Sequence, residues 1–135
     1  MKDFDLSGKT AVITGASRGI GFACAEKLAQ YGAAVILVSR KAESLEKAAQ
    51  KIRDNGGKAE AMTCDTGYPE QIEAMYGKVV EKYGTLDILI NNAATNPHFG
   101  EMLQADAGVW DKTLDVNVKG PFFMIKHAVP LMRDK

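Results

Sequence analysis

The chain has 135 residues, enough for one domain, and its 17 basic and 17 acidic residues cancel. Because the charges are also scattered, nothing marks a nucleic-acid or anionic-membrane surface, and we expect neither partner. The first nine residues carry charges and no apolar segment, and the longest apolar run, 33–38, is far too short to span a bilayer. We therefore expect a cytoplasmic protein.

Strand-like and helical patterns alternate along the chain. The β-branched run 10–15 predicts a first strand, and apolar residues at helical spacing from Ile20 predict a helix closed by Gly32. The pattern then repeats as strand 33–40, helix 43–55, strand 58–64, a helix opened by Pro69 and closed by Gly84, and strand 86–90. Such alternation predicts an α/β fold, a Rossmann-like doubly wound parallel sheet with helices on both faces.

The segment after the fourth predicted strand is expected to be a loop of about 15 residues followed by helix. Helical spacing covers residues 109–132, with predicted breaks at Gly120–Pro121 and at Pro130. No linker or repeat interrupts the chain, so we expect a single dinucleotide-binding domain over residues 1–135.

The cysteines and histidines predict no metal site. Cys24 and Cys64 lack ligand-like spacing and are interpreted as buried or half-buried free thiols in a reducing compartment. His98 and His127 have no companion acid or lysine at a useful spacing, so we interpret them as loop or surface histidines.

A glycine-rich turn, "TGASRGIG", follows the first predicted strand and opens the first helix. A helix N-terminus offers free N–H groups and a positive dipole, and glycines let the backbone approach a ligand, so this turn suits a pyrophosphate. Its spacing, G-x-x-x-G-x-G, is neither the commoner G-x-G-x-x-G nor a P-loop. A tight turn that only packs helix against strand is the alternative.

Four motifs in order give the chain its resemblance to a known family. They are the glycine turn, Asp65 at the end of the third strand, the run 91–94 after the fourth, and "LDVNVKGPF" around Asn117. With them the chain resembles, along essentially its whole length, the N-terminal cofactor-binding portion of the short-chain dehydrogenase/reductase (SDR) family. The stretches "NNAATNPHFG" and "VWDKTLDVNVKGP" are similar to its carbonyl- and retinal-reducing branch.

The resemblance implies the strand order 3-2-1-4 and a set of cofactor-binding residues. That set is Gly15, Ser17, Arg18, Gly19, Ile20, Gly21, Ser39, Arg40, Asp65, Thr66, Asn91, Ala93 and Ala94. Asp65 and Thr66 would meet the adenine, and Asn91 and the two alanines would line a ribose. Asp65 as a turn cap, and Asn91 with Asn92 as turn residues, remain alternatives.

The residues at the end of the second strand bear on the choice of cofactor. Folds that prefer NAD usually carry an acid there, whereas this chain has Ser39 and Arg40. A guanidinium pairs with a 2′-phosphate that a carboxylate would repel, and Arg18 could reach the same group. We expect NADP(H) in preference to NAD(H), the alternative being that both arginines are solvated surface charges.

The catalytic groups that the resemblance implies are largely missing. The family uses a tyrosine whose pKa is lowered by a lysine four residues on, a serine, and an asparagine that holds a water. Asn117 matches the asparagine, but no tyrosine of this chain has such a lysine. We therefore expect the family's C-terminal catalytic half to be lacking and the isolated chain to be inactive, so enzyme status stays open.

The resemblance also implies partners. The family acts on small-molecule carbonyl or alcohol substrates and forms its main subunit interface with the helix that begins near Asn117. Strand 86–90 would be an open apolar edge. We predict a homo-oligomer, a dimer or tetramer, through that helix, that edge or both. A non-enzymatic nucleotide-binding or oligomerising module, and one half of a split enzyme, are the alternative functions.

Overall fold

Four parallel strands in the order β3-β2-β1-β4 form one sheet in the computed structural model, which describes residues 2–133. The strands are β1 (Thr10–Thr14), β2 (Ala34–Ser39), β3 (Lys58–Thr63) and β4 (Ile88–Ile90). The helices are α1 (Gly19–Gln30), α2 (Ala42–Asp54), α3 (Pro69–Tyr83), α4 (Ala107–Leu114) and α5 (Gly120–Arg133). A π-helical turn, Asp115–Lys119, joins α4 to α5, and Lys2–Phe4 and Met102–Gln104 are 3₁₀ turns. The predicted α/β fold and its strand order are confirmed.

Helices cover both faces of the sheet. Alternate residues of β1 face opposite sides, so Ile13 joins the cluster under α1 and α2, whereas Val12 joins the one that contains residues of α3 and α5. All five residues of β1 are buried because this strand is paired on both sides and helices cover both faces of the sheet. Burial of the two apolar layers is the main force that holds the sheet together.

Strand β4 is shorter than the predicted strand 86–90. The backbone N–H of Asp87 donates to the Thr10 carbonyl at 3.0 Å. The Thr10 N–H donates to the side-chain carboxylate of Asp87 at 2.8 Å, in place of a regular backbone partner on this strand. The Leu86 N–H donates instead to the carbonyl of Leu131 in α5, at 3.5 Å. The strand therefore begins at Ile88.

The predicted break at Pro130 is wrong. Helix α5 continues through Pro130 to Arg133, because its last turn is held by Leu131, whose carbonyl accepts from the Thr85 hydroxyl at 3.1 Å as well as from the Leu86 N–H. The exposed proline loses one helical hydrogen bond without disturbing the core.

The predicted helix break at Gly120–Pro121 does not occur either, because both residues are helical. The irregularity is the π-helical turn directly before Gly120, whose N–H donates to the carbonyl of Asp115 five residues back. Pro121 has no N–H to donate to Asn117 four residues earlier, so the Asn117 carbonyl lacks its regular α-helical donor next to the π-helical turn.

Within residues 2–133 both cysteines are free, Cys64 buried and Cys24 half-buried, as predicted. In the same part of the chain no three metal-ligating side chains cluster. None of the helices described there combines the length and the apolar character that crossing a membrane requires.

Glu60 on β3 joins the edge of the sheet to the last turn of α3. Its carboxylate accepts hydrogen bonds from the Lys82 ammonium and, at 2.7 Å, from the Tyr83 hydroxyl. Burial acts to raise the pKa of Glu60, but these two hydrogen bonds and nearby positive charge outweigh it and hold the pKa below its ordinary value. The folded state therefore favours the ionised carboxylate.

We expect Glu60→Gln to lower the free energy of unfolding at neutral pH by about 1 kcal/mol, because a neutral amide weakens both hydrogen bonds. A depressed folded pKa means that this contribution is complete above the unfolded pKa and is lost as the pH falls through the folded pKa. Urea denaturation from neutral pH down to about pH 3 should show the two proteins converging in acid.

The control is Glu43→Gln, because Glu43 makes an ion pair with Lys47 and is 87% exposed. This variant should stay within ~0.5 kcal/mol of the unmodified chain at every pH. A stability difference between Glu60→Gln and the unmodified chain that persists undiminished in acid would contradict the assignment.

Candidate functional site

A cleft of about 650 Å³ opens at the carboxyl ends of β1, β2 and β3, and the loop after β4 closes one side of it. The carboxyl edge is where parallel α/β sheets bind ligands, because the loops that leave neighbouring strands meet there. The lining comes from the glycine turn, the start of α2, the loop after β3, the loop after β4, and Val116 of the π-helical turn.

The glycine turn has the form of a phosphate-binding turn. Gly19 has a φ of +62°, which favours glycine, and an added side chain there would stand in open space at the cleft. Gly21 is required for packing, because a Cβ would overlap the carbonyl oxygen of Gly15. Arg18 precedes α1 without a side-chain cap, so the first N–H groups of this helix stay available to a ligand.

Thr14, at the end of β1, locks the turn to the loop after β4. Its buried hydroxyl oxygen accepts from the N–H groups of Asn92 and Ala93, both at 2.9 Å. In return the Asn92 amide donates to the carbonyls of Thr14 at 3.1 Å and Gly15 at 3.2 Å. Two sides of the cleft, 77 to 79 residues apart in sequence, therefore hold a fixed spacing.

The end of β2 presents an unsatisfied hydroxyl beside positive charge. Ser39 Oγ is buried and has no hydrogen-bond partner among the described residues. Arg40 and Lys41 follow it, both exposed and both lining the cleft, with Ser44 one turn into α2. A buried hydroxyl without a partner costs free energy, so this end of the cleft suits a polar ligand.

The loop after β3 closes the far wall. Asp65 Oδ1 accepts from the Gly67 N–H at 2.9 Å, so this residue does cap a turn, and the Gln71 side chain accepts from its backbone N–H at 2.8 Å. Burial, and secondly the charge of Asp65, raise the pKa of the Cys64 thiol to about 11. Cys64 is therefore a protonated wall of the cleft at neutral pH rather than a nucleophile.

Asn117 lies in the π-helical turn, and its side chain is engaged with the loop after β4. Its Oδ1 accepts from the Thr95 N–H at 2.8 Å, and its Nδ2 donates to the Thr95 carbonyl at 2.9 Å. Both ends of the amide are thus paired with backbone. The side chain ties the turn to a cleft-lining loop, and the implied water-holding role stays a prediction.

Ten of the thirteen proposed cofactor residues line this cleft: Gly15, Ser17, Arg18, Gly19, Ser39, Arg40, Asp65, Thr66, Ala93 and Ala94. The other three do not. Gly21 is buried under the turn, the Ile20 side chain is 76% exposed on the first turn of α1, and Asn91 is exposed after β4.

Sequence reasoning missed several cleft residues: Val38, Lys41, Ser44, Cys64, Asn92, Thr95 and Val116. Two of them carried a signal. Lys41 directly follows Arg40, and Asn92 belongs to the run 91–94 that already carried the resemblance. Periodicity could not have found Thr95, because its backbone is held by Asn117, a residue distant in sequence.

In the described part of the chain no tyrosine or histidine lines the cleft. Burial and a hydrogen bond to Glu60 raise the pKa of Tyr83 to about 12, and burial raises the pKa of Tyr76 still further. Such shifts make both tyrosines weaker acids, the opposite of what proton transfer at neutral pH requires. His98 bonds the Glu101 carbonyl, and His127 stacks on Tyr76.

A family comparison agrees with this fold and cleft. The model described as short chain dehydrogenase matches residues 9–135. The chain therefore belongs to the short-chain dehydrogenase family.

Two human relatives are similar over nearly all of this chain. Dehydrogenase/reductase SDR family member 4 of Homo sapiens is 41% identical over 130 residues, 96% of this chain and 47% of that protein. Dehydrogenase/reductase SDR family member 2, mitochondrial, of Homo sapiens is 36% identical and covers 96% of this chain and 46% of that protein. The chain spans about half the length of the curated relatives that it matches.

Solved structures of short-chain enzymes superpose closely on the chain. A metagenomic short-chain oxidoreductase in complex with NADP has a TM-score of 0.90 and 38% identity, with 94% of this chain and 57% of that one covered. L-sorbose reductase from Gluconobacter frateurii, complexed with NADPH and L-sorbose, has a TM-score of 0.92 and 34% identity, with 98% and 50% covered.

We expect Thr14→Val to lower the free energy of unfolding by about 2 kcal/mol, because the nearly isosteric valine leaves the N–H groups of Asn92 and Ala93 without their acceptor. Thr14→Ser keeps the hydroxyl and should recover most of that loss. Thr63→Val, on the exposed end of β3, is the matched control. Chemical denaturation measures all three, and equal stability of the valine and serine variants at position 14 would refute the lock.

Proposed function

We propose that this chain is the NADP(H)-binding portion of a short-chain oxidoreductase that transfers hydride between NADPH and a small-molecule carbonyl or alcohol substrate. The observation that carries the proposal is the end of β2, where the unpartnered Ser39 hydroxyl stands beside Arg40 and Lys41 at the open cleft. Family membership supports the reaction class.

The cleft residues fit a dinucleotide carrying an extra phosphate. The N–H groups at the start of α1 would bind the pyrophosphate, and Gly19 leaves room for it. Arg18 and Arg40 would bind the 2′-phosphate, and Ser39 Oγ would gain the hydrogen bond it lacks. Asp65 and Thr66 would contact the adenine, and Ala93 and Ala94 the ribose beside β4.

The charges of the lining favour NADP(H) over NAD(H). Among the lining residues that the structure describes, Arg18, Arg40 and Lys41 are basic, and Asp65 is the one carboxylate. The Asp65 side chain is engaged by the Gly67 N–H in the loop after β3, whereas the end of β2 carries no acid. A 2′-phosphate would meet attraction there rather than repulsion. The two similar structures hold NADP and NADPH.

In the proposed reaction, the residues of this chain would bind the cofactor and orient it. Bound NADPH supplies the hydride. Asn117 would hold a water of the proton relay, in the position that its hydrogen bonds to Thr95 fix. Since no tyrosine lines the described cleft and none has a lysine four residues on, we propose that the 135-residue polypeptide does not turn over substrate by itself.

A second proposal concerns self-association. Five exposed apolar side chains follow one another at spacings of three and four residues along α4, the π-helical turn and α5: Trp110, Leu114, Val118, Phe122 and Ile125. Phe123, Leu131 and Met132, in contrast, pack against the core. The exposed side of this helical segment and the edge strand β4 are therefore the proposed contacts of a homo-oligomer.

We expect NADP⁺ to bind the chain more tightly than NAD⁺, and Arg40→Ala to weaken NADP⁺ binding about tenfold while leaving NAD⁺ within about twofold, because the guanidinium meets only the 2′-phosphate. Isothermal titration calorimetry measures both ligands. Lys58→Ala, at the amino end of β3 on the opposite edge of the sheet, is the control. Equal losses for both nucleotides would show that Arg40 does not select the phosphate.

The turnover proposal is tested separately with the same polypeptide. We expect NADPH absorbance at 340 nm to decay at the rate of a protein-free blank when a panel of ketones and aldehydes is added, because the proton donor is missing. Consumption above the blank that depends on both protein and carbonyl compound would overturn the expectation.

A further inference from the structure

Gly120, the first residue of α5, touches the loop after β3, residues 64–68, which is the proposed adenine side of the cleft and is called the adenine-side loop below. Its φ and ψ are −54° and −56°, ordinary right-handed helical values that any residue adopts. A glycine is therefore not needed here for conformation. It is needed for space, because a Cβ would lie 2.7 Å from the carbonyl oxygen of Thr66 and 3.4 Å from that of Asp115.

The atom that such a Cβ would meet cannot move aside alone. Thr66 is 7% exposed, and its carbonyl belongs to the backbone of a loop that is held at several points. Within that loop Asp65 accepts from the Gly67 and Tyr68 N–H groups, and its own N–H donates to Gln71. Extra bulk at position 120 would therefore move the loop together with its cleft-lining side chains.

The same turn reaches the opposite side of the cleft. Val116 borders Gly67 so closely that a Cβ on that glycine would come within 3.1 Å of Val116 Cγ2. One residue further along, Asn117 holds the backbone of Thr95 through two hydrogen bonds. The π-helical turn thus contacts the adenine-side loop at one end and the loop after β4 at the other.

We propose that Gly120 is a positioning residue: its bare Cα seats the Thr66 carbonyl against the π-helical turn, and so couples the adenine-side loop to the Asn117–Thr95 pair. The identity of the ligand rests on the proposed function, whereas the geometry of the coupling rests on the contacts described above. Nucleotide binding at one end of the cleft would then stabilise the relay asparagine at the other, through a path of packed backbone.

The test compares Gly120→Ala with Gly77→Ala. Both glycines lie in helices, and an added Cβ at Gly77 meets nothing within 4 Å, so the control carries the same chemical change without the contact. We expect Gly120→Ala to bind adenosine 2′,5′-bisphosphate about tenfold more weakly, and Gly77→Ala to bind it as the unmodified chain does. Calorimetry measures the affinities, and equal binding by both variants would overturn the proposal.

A second readout needs no ligand. In Gly120→Ala, amide hydrogen exchange should quicken at Gly67, which donates to Asp65, and at Thr95, which donates to Asn117, but not in Gly77→Ala. Unchanged exchange at both amides would refute the coupling. If the unmodified chain fails to bind the nucleotide while these amides respond, the proposed function fails and the coupling stands.

A third measurement uses only the unmodified chain and so does not depend on whether Gly120→Ala can be purified. In the unmodified chain the Gly120 N–H donates to Asp115 and does not line the cleft, so it meets no ligand directly. Its exchange should slow when adenosine 2′,5′-bisphosphate binds, as expected if Thr66 transmits the change. Nucleotide binding that leaves this amide unaffected would contradict the coupling.

Discussion

The parallel pairing of β1 with β2 on one side and β4 on the other is the constraint on which the site depends. Parallel strands end at the same edge of a sheet, so the glycine turn, the start of α2 and the loop after β4 emerge next to one another. Because β1 is buried along its whole length, its last residue cannot shift without exposing apolar surface. Thr14 therefore stands at a fixed point, and its hydroxyl joins two loops of the cleft.

The cleft combines backbone groups at the glycine turn with basic side chains at the end of β2. Glycines, helix N–H groups and locked carbonyls form the wall at the turn, where a Cβ at Gly21 would already overlap its neighbour. The end of β2 adds basic side chains beside an unsatisfied hydroxyl. Under the proposed function, this wall would hold the pyrophosphate that NADP and NAD share, and the exposed basic side chains would bind the 2′-phosphate in which they differ.

The π-helical turn between α4 and α5 also helps to form the cleft. Pro121 leaves the Asn117 carbonyl without its α-helical donor, and within the π-helical turn the asparagine amide is paired with Thr95. The same turn brings Gly120 against Thr66. A regular helix would present these residues in a different order around its axis. The chain thus holds contacts at both sides of the cleft, while its described tyrosines lie elsewhere and two of them are poor acids.

The amino-acid sequence by itself determined the alternation of strands and helices, because apolar periodicity and the glycines and prolines that end or begin each element are local properties. Together with the family motifs, it also determined the strand order. The resemblance carried by those motifs also implied ten of the residues that line the cleft. Only the tertiary structure decided the late start of β4, the helical course through Pro130, the role of Asn92 and the seating of Gly120 on Thr66. Each of these depends on a partner between 45 and 78 residues away, as for Leu86 with Leu131 or Asn92 with Thr14, and local pattern carries no record of such partners.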